Sequence, residues 1–184
     1  MTLLMSLLAC TAFATQPTPT LREVAVDVGW PPPQLWLSID KSERRLAVWS
    51  GNTELKRYRV GLGDPSGDKV RQGDKKTPVG TFTVVTRNEQ SNFHLFLGIS
   101  YPDAADADRA EAAGLVTAAQ ARAIREADAG DVLPPWNTRL GGAIGIHGGG
   151  STSDWTLGCI AVTNEEIEEL WEVVRHGTRV VITE

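Results

Sequence analysis

The chain has 184 residues, 41% of them hydrophobic and 22% charged, an ordinary globular composition with apolar material for one core rather than two. A formal net charge of −5 and a pI near 5.3 argue against a nucleic-acid partner, which needs a clustered basic face. Lys69, Arg71, Lys75 and Lys76 do cluster, but Asp68 and Asp74 interleave with them, which predicts a solvated loop.

The first fourteen residues read as an export signal. Leu3, Leu4, Met5, Leu7 and Leu8 form an apolar run too short to span a bilayer as a mature helix. Ala12-Phe13-Ala14 fits the small-x-small cleavage rule, and Leu7-Leu8-Ala9-Cys10 resembles a lipoprotein box. The expected location is therefore the periplasm or cell envelope, with a lipid anchor at Cys10 as an option. The cysteines are Cys10 and Cys159. If Cys10 is removed or lipidated, Cys159 has no disulfide partner in its own chain, and an exported lone thiol is either buried and inert or used.

Residues 15–33, ending in Pro31-Pro32-Pro33, read as a Pro/Thr-rich tether, and residues 34–184 as the folded domain. Leu35, Leu37 and Ile39 alternate with Trp36 and Ser38, the period of a half-buried strand. Leu46 to Trp49 and Leu55 to Val60 flank Ser50-Gly51-Asn52 as a hairpin. Val79 to Thr86 and Phe93 to Ile99 are further strands. Ala104 to Asp128 is Ala-rich and broken by Gly114, with Thr117 placed to cap a helix through Arg125. Thr163 and Glu166 form a capping box for a helix from Asn164 to about Arg175, whose apolar face is Ile167, Leu170, Trp171 and Val174. Gly177 ends it and Thr178 to Thr183 closes the chain as a strand. The sum is one β-rich α+β domain with one strong helix and one helical insertion.

Two segments concentrate chemistry. In Ala143-Ile144-Gly145-Ile146-His147-Gly148-Gly149-Gly150, the isoleucines share one strand face and His147 takes the other, where the strand breaks into glycines. Thr156-Leu157-Gly158-Cys159-Ile160-Ala161-Val162 is a short strand feeding the capped helix. Cys159 lies twelve positions after His147, and a glycine-rich loop can bring imidazole and thiol together. A free thiol titrates near ~8.5 and is mostly protonated at neutrality. A neighbouring imidazole can take its proton and later return one to a leaving amine. Gly158 permits close backbone approach, so amide N–H groups at Gly158 and Cys159 can hold an oxyanion. A buried, inert cysteine is the competing reading.

With those residues in view, the sequence resembles the L,D-transpeptidase catalytic domain, or YkuD, family. His147-Gly148 followed by Thr156-Leu157-Gly158-Cys159 matches its signature, and Leu62-Gly63, Gly73-Asp74, Thr77-Pro78-x-Gly80-Thr81-Phe82 and Ile99-Ser100-Tyr101-Pro102 follow in the family's order. The resemblance covers about Leu35 to Ile182. It implies a mainly β, sandwich or open-barrel-like domain with helical additions. It also implies that Cys159 attacks a diaminopimelate carbonyl of a stem peptide, that His147 is the general base, and that the Gly148 carbonyl orients the imidazole. The acyl-enzyme passes to an amine on another stem peptide or on a lipoprotein lysine, with no metal or organic cofactor. Thr156, Asp154, Trp155, Tyr101 and His94 are the candidate substrate-binding residues.

The sequence departs from the commoner motif: Leu157 stands where His is usual, Ala161 stands where Arg is usual, and the His–Cys loop is short. These features resemble a subgroup of the family with Gly-Cys-Ile-Ala, whose acceptors are less well defined. For His94, a packed or surface histidine competes with cleft lining; for Trp155, a cap on the core competes with a donor-site wall. Trp30, Trp36 and Trp136 are packing residues first and sugar platforms second. The glycines from Gly61 to Gly73 lack the Gly-Lys-Ser/Thr of a phosphate loop, and His94, His147 and Cys159 lack zinc-ligand spacing. Hydrolysis of the same acyl-enzyme, by a carboxypeptidase or amidase, and a non-catalytic wall-binding module are the alternative functions.

Overall fold

The computed structural model describes residues 18–184. Eight strands form one sheet: β1 (Leu35–Asp40), β2 (Arg45–Ser50), β3 (Thr53–Arg59), β4 (Gly80–Ser91), β5 (His94–Ile99), β6 (Gly145–His147), β7 (Ile160–Ala161) and β8 (Arg179–Thr183). Their spatial order is β3-β2-β1-β8-β4-β5-β6-β7. Four helices accompany them: α1 (Leu21–Val24), α2 (Ala104–Ala112), α3 (Ala118–Ala129) and α4 (Asn164–Val173). The fold is mainly β with α additions, as the periodicities predict.

Alternation explains the strands. Leu37 and Ile39 of β1, Leu46 and Val48 of β2, and Val180 and Ile182 of β8 are almost wholly buried in one cluster, because successive strand residues face opposite sides. Ile167, Leu170 and Val173 of α4 seal that core. The Thr163–Glu166 capping box is formed in both directions, satisfying two backbone N–H groups that a helix start otherwise leaves free. The insertion α2–α3 has its own small core of Ala107, Ala110, Ala121, Ile124 and Leu140, so it is a satellite on the sheet. Thr117 caps α3 as expected.

Two expectations are corrected. The segment read as a tether is packed from Thr20 onward. Thr20 and Glu23 make a capping box for α1, Leu21 is fully buried, and its N–H donates to Glu169 of α4 at 2.8 Å. The loop read as solvated is also partly interior: the Lys69 ammonium is buried and bonds Asp74 Oδ1 at 2.7 Å. Asp74 also accepts from the amides of Val70, Arg71 and Lys76. Although burial pushes the Asp74 carboxyl up, Lys69 and these N–H groups together hold it below the usual range. Residues 1–14, including Cys10, lie outside the described residues.

Candidate active site

β6 and β7 are parallel neighbours, with Ile146 opposite Ile160 and His147 opposite Ala161. Cys159 lies two residues before Ala161, so its side chain and that of His147 project from the same face of adjacent strands. Ile146 and Ile160 fill the core on the other face. The register thus places the two predicted residues on neighbouring segments at one edge of the sheet.

His147 is held on every side. Its Nδ1 lies 2.6 Å from the Gly148 carbonyl. A carbonyl only accepts, so Nδ1 carries the proton, and the neutral ring presents the lone pair on Nε2. Phe93 stacks on the ring with centroids 4.7 Å apart and Trp155 meets it edge-on at 5.6 Å. Burial lowers the His147 pKa, against a smaller upward push from the Gly148 bond. The backbone at Gly148 is close-packed: a Cβ there would sit 2.5 Å from Asn164 Oδ1. The same Asn164 oxygen accepts from the Gly149 amide at 3.0 Å, tying the glycine loop to the first residue of α4.

Cys159 is half-buried and its thiol donates to the Ala143 carbonyl at 3.4 Å. Surrounding protein raises its pKa, while the Gly145 amide and the Lys69 charge pull it the other way. The resting pair is therefore neutral thiol and neutral imidazole, and the Gly145 N–H is placed to receive the thiolate once it forms. Gly158 holds the cysteine at this edge with φ +128°, a region that favours glycine. Its amide donates to Thr156 Oγ1 at 3.1 Å, so it is not free for an oxyanion, contrary to expectation. The Cys159 amide has no hydrogen-bond partner among the described residues and remains as the backbone donor.

The other site candidates divide. Trp155 is partly exposed beside His147 and its indole N–H donates to the Gly150 carbonyl at 3.0 Å. Thr156 is buried; its hydroxyl donates to the Cys159 carbonyl at 2.8 Å, making it a brace for the cysteine rather than a substrate ligand. Asp154 accepts from the Leu62 amide at 2.9 Å and from Arg44 Nε and Nη2 at 3.0 and 2.9 Å, so it fastens the loop instead of walling a subsite. Tyr101 is fully buried, its hydroxyl on the Leu140 carbonyl, which removes it from substrate contact. His94 pairs with Glu168 of α4 at 2.7 Å. Trp36 stacks on Trp49 at 5.2 Å, a packing role.

Two contributors carried no local signal in the sequence, and a third stood in a motif whose role was not evident. Phe93 and Asn164 reach His147 and its loop only through the tertiary fold. Gly63 packs on Gly158, where a Cβ would lie 2.8 Å from the Gly158 nitrogen, and its amide donates to buried Thr77; the Leu62-Gly63 and Thr77-Pro78 motifs thus converge beneath the cysteine. Among the described residues no three His, Cys, Asp or Glu side chains gather as a metal site.

The model of the YkuD L,D-transpeptidase catalytic domain matches residues 34–182. The chain belongs to this L,D-transpeptidase family. The fold agrees with solved structures. The helical cell shape determining protein Pgp2 from Campylobacter jejuni is 22% identical with a TM-score of 0.58, covering 89% of this chain and 55% of that one. Bd1075 of Bdellovibrio bacteriovorus is 20% identical with a TM-score of 0.54, covering 82% and 48%. An L,D-transpeptidase from Mycobacterium smegmatis is 10% identical with a TM-score of 0.50, covering 82% and 59%. The chain spans about half the length of Pgp2 and Bd1075. No curated protein matches it.

Proposed function

We propose that this family member is an exported enzyme that modifies peptidoglycan by L,D-transpeptidation, with Cys159 as nucleophile and His147 as general base. The observation that carries the reading is the Nδ1–Gly148 hydrogen bond on the strand face shared with Cys159. It fixes the tautomer that a base needs, leaving the lone pair on Nε2.

In this reaction the thiol gives its proton to Nε2 as sulfur adds to the diaminopimelate carbonyl of a donor stem peptide. The Cys159 amide faces the developing oxyanion. The carbon–nitrogen bond then breaks, the imidazolium protonates the departing amine of the terminal D-amino acid, and a thioester remains. An acceptor amine, deprotonated by His147, attacks the thioester and regenerates the thiol. Because burial disfavours both ions at rest, the reactive pair forms when substrate arrives. What supports transfer over hydrolysis in this reading is the burial of His147, 2% exposed between Phe93 and Trp155, since water kept from the base cannot deacylate the thioester.

Incubation of the protein and its Cys159→Ala variant with isolated sacculi, followed by mass spectrometry of muropeptides, tests the proposal. New 3→3 cross-links or peptide-linked lipoprotein, absent with the variant, are the expected result. Loss of terminal D-alanine without a new amide bond would replace transfer by carboxypeptidase action, and an unchanged profile would leave a wall-binding module.

A further inference from the structure

Resting on that reading, we infer that the cleft beside Cys159 is a carboxylate-binding subsite for the donor stem peptide, built by Lys75 and the indole N–H of Trp136 in place of the arginine replaced by Ala161. The cleft has a volume of about 480 Å³ and is lined by Lys69, Gln72, Lys75, Trp136, Ala143 and Leu157 among others. It begins at the nucleophile, because the Ala143 carbonyl on its wall is the partner of the Cys159 thiol at 3.4 Å. A peptide whose carbonyl is under attack at the sulfur must run a neighbouring residue into or past this space.

The lining selects an anion. Trp136 Nε1 is shut off from solvent without a hydrogen-bond acceptor, and buried donors normally have one. The Trp136 ring packs on Gly142, where an added Cβ would lie 2.0 Å from its Cδ1. Lys75 is exposed at the rim and makes no ion pair among the described residues. Its backbone is held at φ +61°, a strained state for a non-glycine residue, and its carbonyl accepts from the Asp64 amide at 2.7 Å. The stem that carries the ammonium is therefore fixed where it leaves the main chain.

The carboxylate paired with Lys69 is already spent. Asp74 accepts from Lys69 and three amides, so it offers little to a ligand cation. Lys69 has two of its three N–H bonds engaged, by Asp74 and the Arg71 carbonyl, and lines the same cleft. An uncompensated ammonium, an orphan indole N–H and a buried ammonium with one hydrogen to spare match a carboxylate and mismatch a neutral or cationic group. Leu157, 72% exposed at the cleft edge, adds an apolar lip suited to an alanine methyl or the diaminopimelate chain. Ala161, where the commoner motif has arginine, is fully buried, so the anchor has moved from β7 to the opposite wall.

A stem tetrapeptide offers two such carboxylates, on the terminal D-alanine and on the diaminopimelate side chain. Three synthetic donors separate them: both acids free, the terminal acid amidated, and the side-chain acid amidated. We expect the wild type to favour the free donor over one of the amides by about tenfold, the worth of one charged hydrogen bond, chiefly through KM. The amide that is penalised names the carboxylate. Lys75→Gln and Trp136→Phe, each checked for an unchanged melting curve, should shrink that preference to about threefold or less, and Lys75→Glu should abolish it. Equal use of all three donors by the wild type overturns the inference, as does full preference retained in Lys75→Gln and Lys75→Glu, which alter an exposed side chain. Turnover of any donor by Cys159→Ala, or of none by the wild type, instead defeats the underlying transfer reading.

Discussion

Phe93 lies on His147 ring against ring, the planes 26° from parallel. With Trp155 at the edge, it is part of the burial that depresses the imidazole pKa. Phe93→Ala opens one face to water, so the His147 pKa should rise back toward ~6.5. A base with a higher pKa is lost to protonation at a higher pH. The acidic limb of the kcat/KM profile should therefore move upward in pH, with a larger loss of activity at pH 6 than at pH 8. A limb that stays in place would mean that Phe93 contributes shape alone.

Gly158 is the position where a single methyl group should do most damage. Its φ of +128° is strained for any residue with a Cβ, and that Cβ would lie 2.7 Å from the Lys76 carbonyl and 3.0 Å from Ile144 Cδ1. Gly158→Ala should lower stability by about 1–3 kcal/mol from backbone strain, a drop of roughly 2–12 °C in melting temperature for a domain of this size. It should also displace Cys159 and reduce thioester formation more than tenfold. Calorimetry and thiol acylation kinetics read the two effects; a melting temperature within a degree of wild type would contradict the close packing.

The insertion should respond to pH through Asp106. Burial, then the nearby Asp103 charge, push its carboxyl up to about 7, with Arg109 pulling it down. An unfolded aspartate titrates near ~3.9. Between these values the folded chain holds a proton that the unfolded chain has lost, so this contribution to stability is complete below ~3.9 and falls as pH rises to about 7. Asp106→Asn keeps the shape and removes the titration. Its melting temperature should vary less than the wild type's between pH 5 and 8, and parallel curves would refute a shifted Asp106.

The strands and α4 were legible because one buried face imposes a period on the residues themselves, as in Leu35-Leu37-Ile39 or Ile167-Leu170. That His147 and Cys159 stand on neighbouring segments was legible from a glycine loop between two short strands. What stayed hidden depends on distant partners. Nothing local distinguishes Phe93 from any exposed aromatic until β5 pairs with β6. Lys69 and Asp74 look like a solvated pair until Tyr101 and the insertion cover them. Tyr101 and Thr156 belong to motifs near the site, yet both serve the scaffold, since a motif records position in the fold and not exposure. The α1 turn was written in the chain as Thr20-x-x-Glu23, but its place beside Glu169 was not.

A carbapenem should acylate Cys159, slowly. Its strained lactam presents a carbonyl that the thiolate can attack, with the oxyanion falling near the Cys159 amide. The Gly158 amide, engaged by Thr156 Oγ1, does not assist, and Ala161 supplies no guanidinium for the drug's carboxylate. Loss of one charged hydrogen bond is worth about 1.5–3 kcal/mol, or roughly ten- to a hundredfold in rate if felt in the transition state. The raised thiol pKa slows capture further at neutral pH and sets its pH dependence. Acylation should quicken as pH rises through that value, because the thiolate fraction grows. Intact-protein mass spectrometry after long incubation should find one adduct per chain, absent in Cys159→Ala. An enzyme active on muropeptides yet unmodified by the drug would mean that its cleft admits the stem peptide in a pose the bicyclic lactam cannot take.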